Sequence, residues 1–464
     1  MTQLAEAGLD ELRAALVGAV LAPDEDGYDD ARRLWNAQHD RRPAVIAQVR
    51  TAEDVQAAVR FAVANDLEIA VRGGSHSMSG ASSVDDGLMI DLSRMNQITV
   101  DPEARRVRVG GGALLSDLDA ATQAHGLAVP AGMISHTGVG GLTLGGGMGW
   151  LTRKHGLSID NLESVRIVTA DGSILRAAED ENPDLFWALR GGGGNFGVVT
   201  EFEFRLHEAG PMVQLGMIFF GLDQGAEALR MARDVIPSLP RDLNVVIACL
   251  NAPPAPFVPP EHHFKPGYAL VVVGFGSPQQ HAEALERIRT ALPPLFEFAS
   301  PMPYVALQQM LDEANDWGRY NYEKGIYLDA LTDGAIDAIT EQVPRKTSPM
   351  SVVLFYHLDG AYLEADDDAT AFGGGRTERY AVFSIAICPE PSMFDAERAW
   401  VRGLWDAMLP HASTIGGYVN GMTDPDEDRL RASYGDNKYD RLAQIKAKYD
   451  PDNVFHRNQN IKPA

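Results

Sequence analysis

Three glycine-rich segments in the first 210 residues limit most strongly what this chain can fold into. They read VRGGSHSMSG at 71–80, GMISHTGVGGLTLGGGMGW at 132–150 and RGGGGNFGVV at 190–199. Glycine permits positive φ and leaves backbone N–H groups uncovered, so such segments suit close contact between the backbone and a bound ligand. Each segment alone is compatible with an ordinary turn. Three together predict a long ligand lying across the backbone.

The first segment predicts an anion site. It follows DVQAAVRFAVANDLEIAV, which has the pattern of an amphipathic helix and a short strand, so Arg72 to His76 fall on a turn. Two adjacent glycines and an arginine suit a phosphate, and His76 then lies at the edge of that site. Neither G-x-x-x-x-G-K-[ST] nor a G-x-G-x-x-G that opens a helix after a strand occurs, which argues against a P-loop or a Rossmann site.

Composition excludes other classes of function. The 464 residues carry a formal net charge of −24, which disfavours binding to nucleic acid or to anionic lipid. The N-terminal MTQLAEAGLDELRAALVGAVL has acidic residues where a signal peptide needs basic ones, and no run of about 18 apolar residues predicts a membrane span. Cys249 and Cys388 lie in apolar, strand-like runs without metal-ligand spacing, so no metal is predicted. We therefore expect a cytoplasmic protein.

The sequence pattern changes near residue 211. Strand-like runs such as LNVVIACL, GYALVVVGFG and RYAVFSIAIC then alternate with helical stretches such as HAEALERIRTAL. This pattern predicts an α+β region built on a large antiparallel sheet. The last stretch is predicted to be a helix that ends at Asp450 and Pro451 and is followed by a polar tail.

The motifs, taken in order, resemble a known family. They are R-G-G-x-H-S, P-A-G-(x)5-G-V-G-G-L-T-L-G-G-G-x-G-W, G-L-S-I-D-N, R-G-G-G-G-N-F-G-V-V-T and Y-D-P-D-N-V-F-(x)3-Q-N-I-(x)-P. This series resembles the flavin-dependent oxidases of the vanillyl-alcohol oxidase superfamily with PCMH-type FAD-binding domains, and within it the berberine-bridge-enzyme-like branch. The resemblance spans nearly the whole chain and is weakest between about 211 and 420.

The resemblance implies an α+β fold with two lobes. A PCMH-type FAD-binding domain would occupy 1–210, a substrate-binding α+β domain with a large antiparallel sheet backed by helices would occupy 211–420, and a berberine-bridge-enzyme-like segment, 421–464, would return to the FAD-binding domain. It also implies an FAD-dependent oxidase that takes a hydride from a small alcohol, amine, phenol or natural product to flavin N5 and is reoxidised by O2 with release of H2O2. A dehydrogenase with another electron acceptor and a non-catalytic flavin protein remain open, as does a monomer or a homodimer.

Two positions of the first two segments acquire roles through the resemblance. His76 takes the place of the histidine that bonds covalently to the 8α-methyl group of FAD. The cysteine that bonds to flavin C6 in many relatives would fall at Ile134, and neither Met133 nor Ser135 supplies a thiol, so one covalent bond is expected. Thr137 takes the place of the side chain that gates oxygen access to flavin C4a; its small size favours an oxidase, although a loop hydrogen bond is an equal alternative.

The remaining cofactor positions follow residue by residue. Asn453, Gln459 and Asn460 carry amides suited to ribityl hydroxyls or flavin carbonyls. Asp160 and Asn161 could equally form a turn. The complete set that the resemblance implies is Arg72, Gly73, Gly74, Ser75, His76, Ser77, Gly80, Gly132, Thr137, Gly138, Gly140, Gly141, Gly145, Gly146, Gly149, Asp160, Asn161, Gly194, Asn195, Gly197, Val198, Val199, Asn453, Gln459 and Asn460.

The catalytic base is expected to project from the sheet of the second region onto the flavin. In GRYNYEKGIYL, period-two alternation puts Tyr322 and Lys324 on one face, and in LFYHLDGAY it puts His357 on the face opposite Tyr356. Tyr418 begins a Y-x-N pattern that relatives place beside the flavin. Tyr418 is the preferred base, and Tyr322 and His357 are its rivals; Lys324 is a further catalytic candidate, since a strand with tyrosines and a lysine beside a flavin could bind a phenolate, carbonyl or carboxylate. Core packing is the alternative for each aromatic side chain.

Overall fold

The computed structural model describes residues 6–424 and 426–464. Its strands are β1 Ala19–Leu21, β2 Val45–Gln48, β3 Ile69–Arg72, β4 Leu88–Asp91, β5 Ile98–Asp101, β6 Arg106–Gly110, β7 Leu127–Ala128, β8 Leu162–Val168, β9 Ile174–Ala178, β10 Val198–Arg205, β11 His207–Glu208, β12 Met212–Gly221, β13 Leu243–Asn251, β14 Pro266–Gly274, β15 Phe296–Pro303, β16 Tyr320–Leu328, β17 Val352–Leu358 and β18 Arg379–Cys388. Its helices are α1 Glu6–Ala15, α2 Tyr28–Arg32, α3 Ala52–Ala64, α4 Leu115–Gln123, α5 Val139–Leu144, α6 Thr152–His155, α7 Pro183–Leu189, α8 Gly225–Val235, α9 Pro278–Ala291, α10 Tyr304–Gln309, α11 Asp333–Gln342, α12 Phe394–Met408, α13 Glu427–Tyr434 and α14 Asp436–Tyr449.

A small sheet near the N-terminus positions the first glycine-rich segment. Its strand order is β1-β2-β4-β3, and β2, β4 and β3 run parallel. Helix α3 connects β2 to β3 and begins at Thr51, whose side chain accepts a hydrogen bond from the backbone nitrogen of Asp54. Residues 73–80 follow the carboxyl end of β3, which is where ligands of open parallel sheets bind.

A five-stranded antiparallel sheet positions the other two glycine-rich segments. Its order is β5-β6-β10-β8-β9. The second segment contains α5, and the third leads into β10, whose first residues are Val198 and Val199. Phe202 and Phe204 of β10 pack in a buried cluster with residues of α7 and α14. We call these two sheets and their helices, within residues 6–210, the first lobe.

The second lobe is a seven-stranded antiparallel sheet within residues 212–388, together with its helices. The strand order is β15-β12-β14-β13-β17-β18-β16. Helices α8, α9, α11 and α12 cover one face with a large apolar core that includes Leu229, Ile288 and Leu404. The other face meets the first lobe through Tyr356, Phe383 and neighbouring side chains. The expected α+β fold with a large antiparallel sheet backed by helices is confirmed.

The chain then returns to the first lobe. Leu442 and Ile445 of α14 are buried in the same cluster as Phe186 of α7. Asn36 makes a second connection between the lobes, because its side-chain amide donates to the carbonyl oxygens of Met78 and Asn321, both at 2.9 Å. Among the helices of the described residues, none has both the length and the apolarity that a membrane crossing requires.

Candidate active site

The first two glycine-rich segments touch at Gly74 and Gly138. A Cβ atom on Gly74 would lie 2.1 Å from the backbone nitrogen of Gly138, and one on Gly138 would lie 2.3 Å from the backbone nitrogen of Gly74. No side chain fits such a contact without movement of the backbone. The two segments therefore form one continuous surface only because both residues are glycine.

His76 lies at the edge of this surface between two aromatic side chains. The ring of Trp35 stacks on it, with centroids 4.6 Å apart and an interplanar angle of 17°. Its Nε2 atom lies 2.7 Å from Nδ1 of His136. Burial, and to a lesser degree the neighbouring His136, lowers the pKa of His76 to about 3. His76 is therefore a neutral imidazole at pH 7, the form in which the ring is a nucleophile.

The sequence motifs did not identify two of these neighbours. Trp35 lies 41 positions before His76, and no motif includes it. His136 lies in the second segment two positions beyond Ile134, where only a thiol was sought. The presence of a histidine two positions from the expected cysteine is the sequence signal that could have identified His136.

Asn195 joins the third glycine-rich segment to the C-terminal tail. Its side-chain nitrogen donates to the carbonyl oxygen of Gln459 at 3.1 Å, and its Oδ1 accepts from the backbone nitrogen of Ile461 at 3.0 Å. Nζ of Lys446 donates to the carbonyl oxygen of Asn195 and to Oδ2 of Asp450, both at 2.6 Å. The side chains of Lys446 and Asp450 are fully buried. A buried ion pair therefore fixes the tail against the third segment.

The same tail holds polar atoms that lack a partner. Buried side-chain oxygens of Asn453, Asn458, Gln459 and Asn460 accept no hydrogen bond from the described residues. An unsatisfied buried acceptor costs about 1–3 kcal/mol, so four in one segment indicate a ligand that carries donors. FAD has hydroxyl groups on its ribityl chain and an N–H group on its ring. The residues present therefore fit FAD.

The structure gives Arg72 partners within the protein. Its Nε donates to Oγ of Ser75 at 2.7 Å, and its Nη1 lies 3.3 Å from the buried carboxylate of Asp91. Ser75 itself has a positive φ of 62°. Arg72 thus holds the first segment in its strained conformation, and direct contact with a phosphate remains a prediction.

Asp160 and Asn161 also have protein partners. The Asp160 carboxylate accepts hydrogen bonds from both terminal nitrogens of Arg376, at 2.6 and 2.9 Å. Nδ2 of Asn161 donates to the carbonyl oxygens of His155 and Leu157, both at 2.9 Å. These contacts favour the turn interpretation of the two residues, and their contact with the cofactor stays a prediction.

Tyr418 projects onto the second glycine-rich segment. Its hydroxyl oxygen accepts a hydrogen bond from the backbone nitrogen of Gly147 at 2.8 Å and another from Nδ2 of Asn420 at 2.9 Å. Burial raises the pKa of Tyr418 to about 12, and the two donated hydrogen bonds oppose that rise. The rings of Phe372 and Phe383 lie beside it. Gly147 was absent from the predicted set, although its neighbours Gly145 and Gly146 belong to it.

Tyr322 and Lys324 lie on the face of the sheet opposite Tyr418, and their catalytic roles stay predictions that this position does not favour. The Tyr322 hydroxyl donates to Asp424 at 2.9 Å and accepts from Nε of Arg402 at 2.9 Å, while Nζ of Lys324 lies 4.2 Å from the centroid of the Trp405 ring. Arg402 and Trp405 belong to α12. The predicted alternation along β16 is right, but the face that carries Tyr322 and Lys324 packs on the helices. Alternation shows which residues share a face and not which layer covers it.

His357 lies on the same helix-covered face, away from Tyr418, and its role as a base stays a prediction that this position does not favour. Its Nε2 lies 3.0 Å from Oε1 of Glu378, and its ring packs against Tyr380 at a centroid distance of 4.8 Å. Tyr356 takes the opposite face, as alternation predicts, and points its hydroxyl at the sulfur of Met133, 3.6 Å away. Tyr356 is therefore the member of this pair that meets the first lobe.

Glu323 is a buried carboxyl group that the sequence motifs missed. It shares the first-lobe face of β16, where a Cβ atom on Gly421 would lie 2.6 Å from its Oε1. Burial raises the pKa of Glu323 to about 8, with Arg429 acting in the opposite direction. Its charged form would in turn raise the pKa of Tyr356 and Tyr418. Glu323 and the two tyrosines thus form one electrostatically connected group.

The two-lobed fold and its three glycine-rich segments define an FAD-dependent oxidoreductase, and comparison with known proteins agrees. The family described as FAD binding domain matches residues 43–178, and the family described as berberine and berberine like matches residues 417–462. An FAD-linked oxidoreductase of Dictyostelium discoideum is 31% identical over 98% of this chain and 97% of its own. The chain belongs to the FAD-linked oxidoreductases of the berberine-bridge-enzyme-like branch.

Relatives with more specific descriptions extend over the same length. The (R)-6-hydroxynicotine oxidase of Paenarthrobacter nicotinovorans is 29% identical over 97% of each chain. The crystal structure of 6-hydroxy-D-nicotine oxidase from Arthrobacter nicotinovorans superposes with a TM-score of 0.85 at 28% identity, covering 97% of this chain and 98% of that one. Glucooligosaccharide oxidase from Acremonium strictum, described with a 6-S-cysteinyl, 8α-N1-histidyl FAD, gives a TM-score of 0.83 at 26% identity, covering 98% and 99%.

Proposed function

We propose that this FAD-linked oxidoreductase is an oxidase of a small alcohol, amine, phenol or natural product, with FAD bonded through one histidine, His76. The observation that carries the proposal is the neutral imidazole of His76, stacked on Trp35 at the contact between Gly74 and Gly138. The described 8α-histidyl FAD of glucooligosaccharide oxidase and the oxidase activity named for the nicotine enzymes support it. Ile134 in place of a cysteine supports a single bond.

Different regions of the chain would bind the cofactor and contact the substrate. Residues 1–210 and 421–464 would hold FAD, since they carry the glycine-rich segments and the unpartnered amide oxygens of the tail. Residues 211–420 would supply the wall that faces the substrate, with Tyr356 and Phe383 on it. Bound FAD accepts two electrons from a substrate and passes them to an acceptor.

Tyr418 would hold and deprotonate the reacting group of the substrate. Its oxygen already accepts hydrogen bonds from Gly147 and Asn420, which favour the phenolate form, while burial favours the neutral form. Glu323 would set the charge near Tyr418, because its pKa of about 8 keeps it protonated at neutral pH. The aromatic rings of Phe372 and Phe383 exclude water from the Tyr418 side chain.

Thr137 supports the assignment as an oxidase over the alternative of a dehydrogenase. It is partly exposed in the second glycine-rich segment, and its side chain is smaller than leucine. A Thr137→Leu variant should slow reoxidation by dioxygen while leaving reduction by substrate unchanged. Equal reoxidation rates in the variant and the wild-type protein would remove this support.

A substrate panel tests the function. Amines, alcohols and phenols are mixed anaerobically with the purified, FAD-loaded protein, and the loss of flavin absorbance identifies a substrate. Air is then admitted, and hydrogen peroxide release is compared with the reduction of a dye acceptor. Rapid peroxide release supports an oxidase. Dye reduction without oxygen uptake would establish the dehydrogenase alternative, and a flavin that no compound reduces would favour a non-catalytic flavin protein.

A further inference from the structure

His136 forms a hydrogen bond with His76, and the proposed function gives that bond no role. Nε2 of His76 lies 2.7 Å from Nδ1 of His136, and the ring centroids are 4.7 Å apart. One of the two imidazoles must donate and the other must accept. The neutral pair therefore has two arrangements, which differ in the nitrogen of His76 that carries hydrogen.

The two arrangements have opposite consequences for the reactivity of His76. If His76 donates from Nε2, its Nδ1 keeps a free lone pair and is nucleophilic. If His136 donates instead, the hydrogen of His76 sits on Nδ1 and blocks attack from that nitrogen. Across residues 6–424 and 426–464, the structure records no hydrogen bond to Nδ1 of His76, so this is the nitrogen left for a cofactor.

The backbone on either side of His136 is fixed. Ser135 donates from its backbone nitrogen and from its hydroxyl to the carboxylate of Asp312, at 2.8 and 2.6 Å. The backbone nitrogen of Leu115 donates to the carbonyl oxygen of Thr137 at 2.9 Å. Because both neighbours of His136 are held, its ring is presented to His76 in a defined position.

The second ring nitrogen of His136, Nε2, favours the arrangement in which His76 donates to His136. Its Nε2 is buried and has no partner among the described residues. When Nδ1 of His136 accepts from His76, this Nε2 carries a hydrogen, and a buried donor without an acceptor is unfavourable. An oxygen of a bound cofactor would satisfy it, so FAD binding would favour the arrangement in which His76 is nucleophilic.

We propose that His136 is a positioning residue for covalent attachment of FAD: it accepts the Nε2 proton of His76 while Nδ1 of His76 bonds to the 8α carbon. This inference rests on the proposed function. One C–H bond of the methyl group and the Nε2–H bond of His76 break, and one N–C bond forms. The two electrons and two protons that are lost pass to dioxygen, which becomes hydrogen peroxide. The finished link is a neutral, alkylated imidazole.

The experiment follows bond formation directly. The full-length chain is produced under riboflavin limitation, FAD is added in air, and the mass of the denatured protein is measured over time. His136→Ala removes both the acceptor and the base, whereas His136→Asn keeps an oxygen that can accept from Nε2 of His76 but cannot take its proton. His125→Asn, at an exposed histidine of the same lobe, is the matched control.

We expect wild-type protein and the His125→Asn variant to react at one rate. General-base assistance contributes about 10²–10⁴-fold, so His136→Ala should be slower by about 100-fold or more, and His136→Asn should fall between. Reversible FAD binding, followed by quenching of flavin fluorescence, should weaken by at most about tenfold in His136→Ala, the usual effect of losing one hydrogen bond to the cofactor, and so by less than the attachment rate. Added imidazole should accelerate His136→Ala without accelerating the wild-type protein, an effect that a merely structural role of His136 would not produce.

The experiment separates failure of the proposed covalent bond from failure of the proposed role of His136. If wild-type protein never gains the mass of FAD, the proposed function fails. If wild-type protein and His136→Ala gain the mass of FAD equally fast, the proposed role of His136 is wrong, but the covalent bond is confirmed. A His136→Asn variant that reacts at the wild-type rate would likewise overturn the proton transfer, and this variant decides the matter if His136→Ala does not fold.

Discussion

The hydroxyl oxygen of Tyr418 lies 2.8 Å from the backbone nitrogen of Gly147. The bond joins the turn after the second lobe to the second glycine-rich segment, 271 positions away in the chain. Because the oxygen accepts here and from Asn420, the phenolic hydrogen is free to meet another group. The candidate base is thus placed by the cofactor-binding segment itself.

Substitution of Tyr418 by phenylalanine should lower turnover by about 10²–10⁴-fold, the usual contribution of a general base. With a pKa of about 12, the phenolate fraction rises about tenfold per pH unit over the neutral range. The kcat/KM of the wild-type protein should therefore rise with pH, and that of Tyr418→Phe should not. Steady-state kinetics between pH 6 and 9 on a substrate from the panel measure both. An unchanged profile in Tyr418→Phe would exclude Tyr418 as the base.

Glu323 should make the protein less stable as pH rises. Its pKa is about 8 in the folded protein against 4.5 ordinarily, so between these values the folded state binds more protons than the unfolded state. The free energy of unfolding then falls with increasing pH across that window. Glu323→Gln should flatten this fall, as measured by urea denaturation from pH 5 to 8.

The control for Glu323 is Glu227→Gln, at an exposed position of α8. It should leave the pH dependence of unfolding unchanged. If Glu323→Gln shows the same slope as wild-type protein, the buried carboxyl is not protonated at neutral pH, and its influence on Tyr418 must be revised.

Loss of Lys446 should release the C-terminal tail. Removing one partner of a buried ion pair costs about 3–5 kcal/mol, and Lys446→Met leaves the buried carboxylate of Asp450 unpaired. Chemical denaturation should show that loss, and FAD content should fall. Lys448→Met is the matched control, because Lys448 and Asp184 form an exposed pair worth at most about 1 kcal/mol. Equal stabilities of the two variants would contradict the assigned role of the Lys446 pair.

The contact of Gly74 with Gly138 should not tolerate a side chain. Gly74→Ala places a Cβ atom 2.1 Å from the nitrogen of Gly138, and such overpacking costs about 1–3 kcal/mol or more. Gly141→Ala meets nothing within 4 Å and lies in α5, where alanine is favoured over glycine by about 0.5–1 kcal/mol. Thermal unfolding of the FAD-free proteins should therefore rank Gly74→Ala below wild-type protein and Gly141→Ala at or above it. The reverse order would refute the close contact.

Local patterns explain which parts of the fold could be predicted. In the strands after residue 211, apolar residues alternate with polar ones or follow one another without interruption. The glycine-rich segments contain enough glycine to predict loops. The two-lobed α+β fold therefore followed from the sequence and the resemblance. The first segment also identified His76, because the glycines and Arg72 lie next to it in the chain.

The parts that could not be predicted depend on contacts between distant residues. Alternation along β16 separated Glu323 from Tyr322 but did not show that α12 would cover the Tyr322 face. Trp35 and His136 reach His76 through the packing of separate loops, which no local pattern records. The position of Arg72 was predictable, whereas its pairing with Asp91 of the neighbouring strand was not.

The central claim is that FAD is bonded covalently to His76, and the mass of the denatured protein tests it most directly. We predict the mass of the polypeptide plus one FAD less two hydrogens for wild-type protein, with the added mass on the peptide that contains His76. His76→Ala should give the mass of the bare polypeptide while retaining some reversibly bound FAD. A wild-type protein whose denatured mass equals that of the polypeptide alone would contradict the claim.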